Sequence, residues 1–268
     1  MYRMWKTVFE DTDEYMDLFF TDKYKSENTL IYFDDGVAAA SLQMQLYCIT
    51  FYGQKIPCYY LVGLCTLPEY RRRGYMEQLI DRSHQVMAER KIPLSILVPA
   101  EDWLFGFYNR YGYEQVFEKD EVNIPIKEIF DQYPDIRDAY KAFDQLQQTD
   151  FTVQKTFDDF YTIAKDYCFD SCPPKYNLSA MARVIDAEQL LSVYASANAS
   201  KQFTISVDGS TYQIIDGECS RVVASEVDLD VDIRMLTRLL FGYKTNELSE
   251  EFSRFFPVHH PKINLMLE

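Results

Sequence analysis

The sequence predicts an α+β (α/β) protein: a mixed central sheet with flanking helices, followed by a smaller C-terminal α/β domain. Three observations carry this. Residues 59–80, YYLVGLCTLPEYRRRGYMEQLI, pass from an apolar run through a proline turn, three arginines and a glycine into an amphipathic stretch. The run has the pattern of a buried strand, while Met76, Leu79, Ile80 and Met87 recur at helical spacing. Asp35-Gly36 separates two strand patterns upstream, as a tight hairpin does. Two more Asp-Gly pairs, at 208–209 and 216–217, divide a second region of short strands before two helical patterns close the chain.

Taken in order, residues 4–9 read as a first strand. Asp11 is expected to cap a helix, with Glu14 three residues on as its capping-box partner and Tyr15, Leu18 and Phe19 on one face. Strands follow at 29–33 and 37–50, the latter with Leu42, Met44, Leu46 and Cys48 alternating with Gln43 and Gln45. A turn at Gly53-Gln54 leads into the strand at 60–65, and the helix after the arginines runs to about residue 90. A strand at 93–98, a helix at 101–108 ended by Gly112, and an extended stretch at 113–124 complete a first domain over 1–123. Residues 124–178 form a helical connector. Pro134 opens one helix there with Ile136, Ala139, Tyr140, Phe143 and Leu146 on a stripe, and Thr156 caps another. Its aromatics predict packing against both neighbours. The smaller domain spans 179–268: a strand at 181–185, a helix capped by Asp186, strands near 203–207, 212–215 and 221–224, a helix capped by Asp232 and ended by Gly242, then a last helix stopped by Pro257.

Composition narrows the function. The chain has 268 residues, is 47% hydrophobic and carries a net charge of −15. Such a charge repels nucleic-acid phosphates and is compatible with a cationic substrate. No apolar run reaches the length of a membrane span, and the N-terminus lacks the pattern of a signal peptide, so a cytoplasmic protein without nucleic-acid or membrane partners is expected. The six cysteines contain no CxxC pair. Cys168, Cys172, His259 and His260 do not have a recognised zinc spacing, so no metal is expected. His84 reads as a structural histidine.

Arg71-Arg72-Arg73-Gly74 falls where a strand ends and a helix begins. The first N–H groups of a helix have no internal acceptor and the dipole is positive there. Glycine lets an anion approach the backbone, and arginines add charge. The pattern suits the pyrophosphate of a nucleotide-derived cofactor, although a run of arginines on a turn is commonly just a solvated face.

With a second landmark, Tyr108-Asn109-Arg110-Tyr111-Gly112-Tyr113, the chain resembles the GNAT acetyltransferases. Arg71-x-x-Gly74-x-Met76 fills their phosphate loop. Methionine at the last position departs from the general pattern and resembles the Eis-type branch. Asp228-Leu229-Asp230-Val231-Asp232, followed by Leu236-x-x-Leu239-Leu240-Phe241-Gly242-Tyr243, resembles the sterol carrier protein-like domain that closes Eis-type chains. The second GNAT-like domain usual in those chains has no room here.

The resemblance implies an acetyl-CoA-dependent N-acetyltransferase acting on a primary amine of a small molecule or peptide, in an assembly compatible with a homo-oligomer. It implies that Leu64, Cys65 and Thr66 offer backbone groups to the pantetheine arm and thioester. Arg71, Arg72, Arg73, Gly74, Tyr75 and Met76 then cradle the pyrophosphate, and Tyr108 is the general acid. A phenol suits that role because it stays protonated at neutral pH. In Eis-type enzymes a C-terminal carboxylate serves as base, which here points to Glu268, with Glu101 and Asp102 as alternatives; each of these acids also reads as an ordinary surface residue. Two further classes compete: a non-catalytic CoA- or lipid-binding module on the same scaffold, and a purely structural oligomer. Retention of Tyr108 and of the arginine loop favours the enzyme.

Overall fold

The structure, a computed structural model, describes residues 1–169 and 174–267, without the side chains of 168 and 169. The chain opens with two helices, α1 (Tyr2–Phe9) and α2 (Asp13–Asp22). Residues 4–9 are thus helical and not a strand. Met4, Trp5 and Val8 share one face at 3.6-residue spacing, and that face packs on Met16 and Phe19 of α2 and on Cys65. The cap of α2 is Thr12, one residue later than expected. Its Oγ1 accepts from Tyr15 N at 3.2 Å, and the Asp11 side chain is left free of the helix end.

Strands β1 (Thr29–Asp34), β2 (Val37–Phe51) and β3 (Gln54–Thr66) form an antiparallel meander. Its hairpins turn at Asp35-Gly36, as expected, and at Tyr52-Gly53, one residue before the expected position. All four turn residues have positive φ, the geometry of a tight two-residue hairpin. Helix α3 (Tyr75–Glu89) crosses over to β4 (Leu94–Leu97), parallel to β3. Then come α4 (Asp102–Asn109) and β5 (Glu114–Phe117), a shorter strand than the stretch expected at 113–124.

The connector holds α5 (Ile126–Gln132), α6 (Ile136–Gln147), a two-residue strand β6 (Val153–Gln154) on β2, and α7 (Phe157–Phe169). Thr156 caps α7 reciprocally: Asp159 N donates to its Oγ1, and its own N–H and hydroxyl donate to Asp159 Oδ2. Asp159 also pairs with Lys23 at the end of α2, tying α7 to the first domain. Phe143, Phe160 and Tyr167 pack with Leu265 and Leu267 from the end of the chain. Leu146, expected on this stripe, is 53% exposed.

Strand β7 (Ala180–Val184) lies between β4 and β5, antiparallel to both. The seven-stranded sheet therefore has the order β1-β2-β3-β4-β7-β5, with β6 beside β2, and draws β7 from beyond the connector. Beyond it, α8 (Ala187–Ala197) is capped by Asp186. Strands β8 (Phe203–Val207), β9 (Ser210–Ile215), β10 (Glu218–Val222) and β11 (Leu229–Val231) make a four-stranded sheet ordered β10-β9-β8-β11. Helix α9 (Ile233–Leu240), capped by Asp232, and the short α10 (Glu250–Ser253) follow. Gly242 ends α9 at φ 59°, where a Cβ would lie 2.4 Å from the Pro257 carbonyl oxygen. One continuous core joins the two sheets. In it Thr237 Oγ1 accepts from Val184 N, and Arg234 makes a forked ion pair with Glu114. Among the described residues no helix is long and apolar enough to cross a membrane.

Candidate functional site

β3 and β4 pair only from Cys58–Leu94 to Tyr60–Ile96, yet β3 runs on to Thr66 while β4 stops at Leu97. A gap therefore opens beside the last third of β3. Within that third, Gly63 and Leu64 together face the single residue Leu42 of β2, a β-bulge with Gly63 at φ 61°. Only glycine fits there, because a Cβ would lie 1.7 Å from the Trp5 ring. The bulge re-aims the strand, and its edge toward the gap has no β4 partner for backbone N–H and C=O groups.

The gap widens into a cavity of about 570 Å³. β3 from Tyr60 to Leu64 forms one wall and Val98, Pro99, Leu104 and Tyr108 another. Trp5, Phe9, Asp11 and Tyr15 from the N-terminal helices close it, with Lys119 also in the wall. Tyr108 is 7% exposed and its phenol has no hydrogen-bond partner among the described residues. Burial raises its pKa above the ordinary tyrosine value. Tyr113 is different: its hydroxyl lies 2.6 Å from Ser95 Oγ and 3.2 Å from His84 Nε2, in a buried network. Burial pushes His84 down to about 3, which leaves the imidazole neutral at physiological pH.

At the far end of β3 the arginine loop forms a backbone concavity. Arg72 and Gly74 have φ of 63° and 78°, on either side of Arg73. A non-glycine residue held in this region costs roughly 1–3 kcal/mol and marks a conformation set by its surroundings. Gly74 gives α3 no side-chain cap, and the first helical bond runs from Gln78 N to Gly74 O. The N–H groups of Tyr75, Met76 and Glu77 precede it and are free to bind an anion. Arg71 donates to the Thr66 carbonyl. Arg73 is tied to Asp34 and to the Glu69 carbonyl, and Tyr75 donates to the same Asp34. The Arg72 guanidinium has no such tie among the described residues.

The structure thus puts Leu64 and Tyr108 on one cavity and Arg71 to Met76 on the loop at the end of the same strand. Cys65 and Thr66 do not line the cavity. The Cys65 thiol packs with Met4 and Trp5 of α1, 3.3 Å from Ser41 Oγ, and burial raises it to about 11, which keeps it protonated at neutral pH. Glu101 and Asp102 are exposed at the start of α4, between the wall residues Ala100 and Leu104 without lining the cavity themselves, and Glu101 accepts from Trp103 Nε1. Glu268 lies outside the described residues. Asp11, Trp5, Phe9 and Tyr15 were missed as site residues. The helical spacing of Met4, Trp5 and Val8, with Thr12 as the cap, is the signal that reveals them. Among the described residues no group of three or more His, Cys, Asp or Glu could hold a metal ion. Cys172 and the Cys168 side chain lie outside that set, and His259 stacks on Phe151 at 4.1 Å.

No curated protein sequence matches this chain closely enough to count as a relative. Residues 1–116 match the family model described as an acetyltransferase (GNAT) domain. Among solved structures, a conserved protein from Enterococcus faecalis, titled a probable N-acyltransferase, aligns at TM-score 0.70 and 13% identity, covering 97% of this chain and 95% of its own. A GCN5-related N-acetyltransferase from Anabaena variabilis aligns at TM-score 0.69 and 12% identity, with 97% and 95% covered. Eis1 from Mycobacterium abscessus aligns at 0.61 and 11%, with 97% and 94% covered. Residues 1–116 are therefore similar to a GNAT acetyltransferase domain, and the fold of the chain follows these three structures over nearly its whole length.

Proposed function

We propose that this protein is an N-acetyltransferase that moves an acetyl group from acetyl-CoA to a primary amine. The observation that carries the reading is Tyr108: a buried phenol without a hydrogen-bond partner among the described residues, on the wall of the gap between β3 and β4. Acetyl-CoA supplies the activated acyl group as a thioester. The free N–H groups of Tyr75 to Glu77, with Arg72, hold its pyrophosphate. The unpaired edge of β3 around Leu64 orients the pantetheine arm and offers N–H groups to the carbonyl oxygen as negative charge develops there. The amine attacks in its neutral form and releases its surplus proton to solvent as the N–C bond forms; burial keeps the Tyr108 proton in place until the C–S bond breaks, and the phenol then donates it to the leaving sulfur and is reprotonated from solvent. The second sheet serves as scaffold, since α9 braces β5 and β7 from behind.

The cofactor assignment is tested by melting. Acetyl-CoA at a hundred times its dissociation constant should stabilise the fold by about 2.7 kcal/mol. The Arg72→Ala/Arg73→Ala variant should melt slightly below the parent without ligand, because the exposed Arg73–Asp34 pair it loses is worth little, and should lose most of the ligand-induced shift. An undiminished shift in the variant shows that the loop is a solvated face.

A further inference from the structure

We propose that the cavity takes an amine with one positive charge carried on an apolar, aromatic body, and that Asp11 holds its ammonium group. The direction of the reaction rests on the transfer reading above; the binding itself does not.

Among the described residues Asp11 is the one carboxylate in the cavity wall. The cap at Thr12 leaves its side chain free, and no hydrogen bond or ion pair to it occurs among the described residues. Trp5, Phe9, Tyr15 and Tyr60 line the same cavity. Aromatic faces complement both an apolar body and a cation. Phe9 is 40% exposed, an apolar ring that gains burial when an apolar ligand covers it. A polycationic amine needs a second anion, whereas the other charged residue of this wall is Lys119, which repels a second ammonium. Burial raises the Asp11 carboxyl above its ordinary value, and an ammonium bound beside it would bring it back down.

The test uses the full chain with Trp103→Phe, which leaves Trp5 as the one tryptophan of two. Phenethylamine should change Trp5 fluorescence saturably. Phenethyl alcohol, its uncharged counterpart, and spermidine should each bind about tenfold or more weaker, and Asp11→Asn should weaken phenethylamine to a similar degree. Equal binding of the alcohol, or tighter binding of spermidine, overturns the proposal without relying on any variant at Asp11. Charge-dependent binding of phenethylamine without its acetylation upholds the cavity assignment and removes the transfer reading. Acetylation of polyamines in preference to phenethylamine does the reverse.

Discussion

Tyr108→Phe should lower turnover on a working amine by about 10²–10⁴-fold, the range of general acid catalysis, while acetyl-CoA still binds. The substitution removes one oxygen from a ring that packs edge-on against Phe107 and Tyr113. The ring and its packing remain, and no protein hydrogen bond is broken, so melting should be nearly unchanged. Tyr111→Phe, on the half-exposed neighbour, should leave turnover close to the parent's. Tyr113→Phe should cost stability of about 1 kcal/mol through the lost Ser95 and His84 contacts. Near-full turnover in Tyr108→Phe, with the chemical step shown to limit the rate, removes the phenol from the mechanism and leaves solvent or another donor to protonate the sulfur.

Gly63→Ala should destabilise the fold by roughly 2–5 kcal/mol. About 1–3 comes from forcing a rigid indole aside and about 1–2 from placing a side chain on left-handed backbone. Neither neighbour can yield cheaply: Trp5, on the inner face of α1, is 2% exposed, and Gly63 lies within a long strand. Urea unfolding measures the loss. Gly106→Ala is the control, since its Cβ would meet nothing within 4 Å on helix α4 and should be neutral or stabilising by up to about 1 kcal/mol. Equal midpoints for the two variants contradict the close approach of Trp5 to the bulge.

What the sequence disclosed was local. Asp35-Gly36, Asp208-Gly209 and Asp216-Gly217 turn the chain where expected because a two-residue hairpin needs positive φ at both positions. Thr156, Asp186 and Asp232 cap helices through bonds of three-residue reach. The arginine loop is legible for the same reason, as strand, turn and helix start within a dozen residues. What stayed hidden depends on distant partners or on a single step of register. Residues 4–9 have apolar side chains at 4, 5, 8 and 9, a spacing open to a helix over so short a stretch, and the surface on α2 and β3 that the helix packs against is not visible locally. The position of β7 between β4 and β5 is fixed by pairing across more than 60 residues of chain, which no local pattern reports. Strand β11 has three residues, too few for a period. The shift of one residue in the cap of α2 moved Asp11 from a structural to a site residue.

The most direct measurement is the joint yield of free thiol and acetylated amine when the protein is mixed with acetyl-CoA and a panel of primary amines, followed by thiol titration and mass spectrometry. The account predicts one thiol released per acetyl group found on an amine, with both falling together in Tyr108→Phe. Tight binding of acetyl-CoA with neither product across the panel contradicts it, and leaves a carrier that holds the thioester without transferring it.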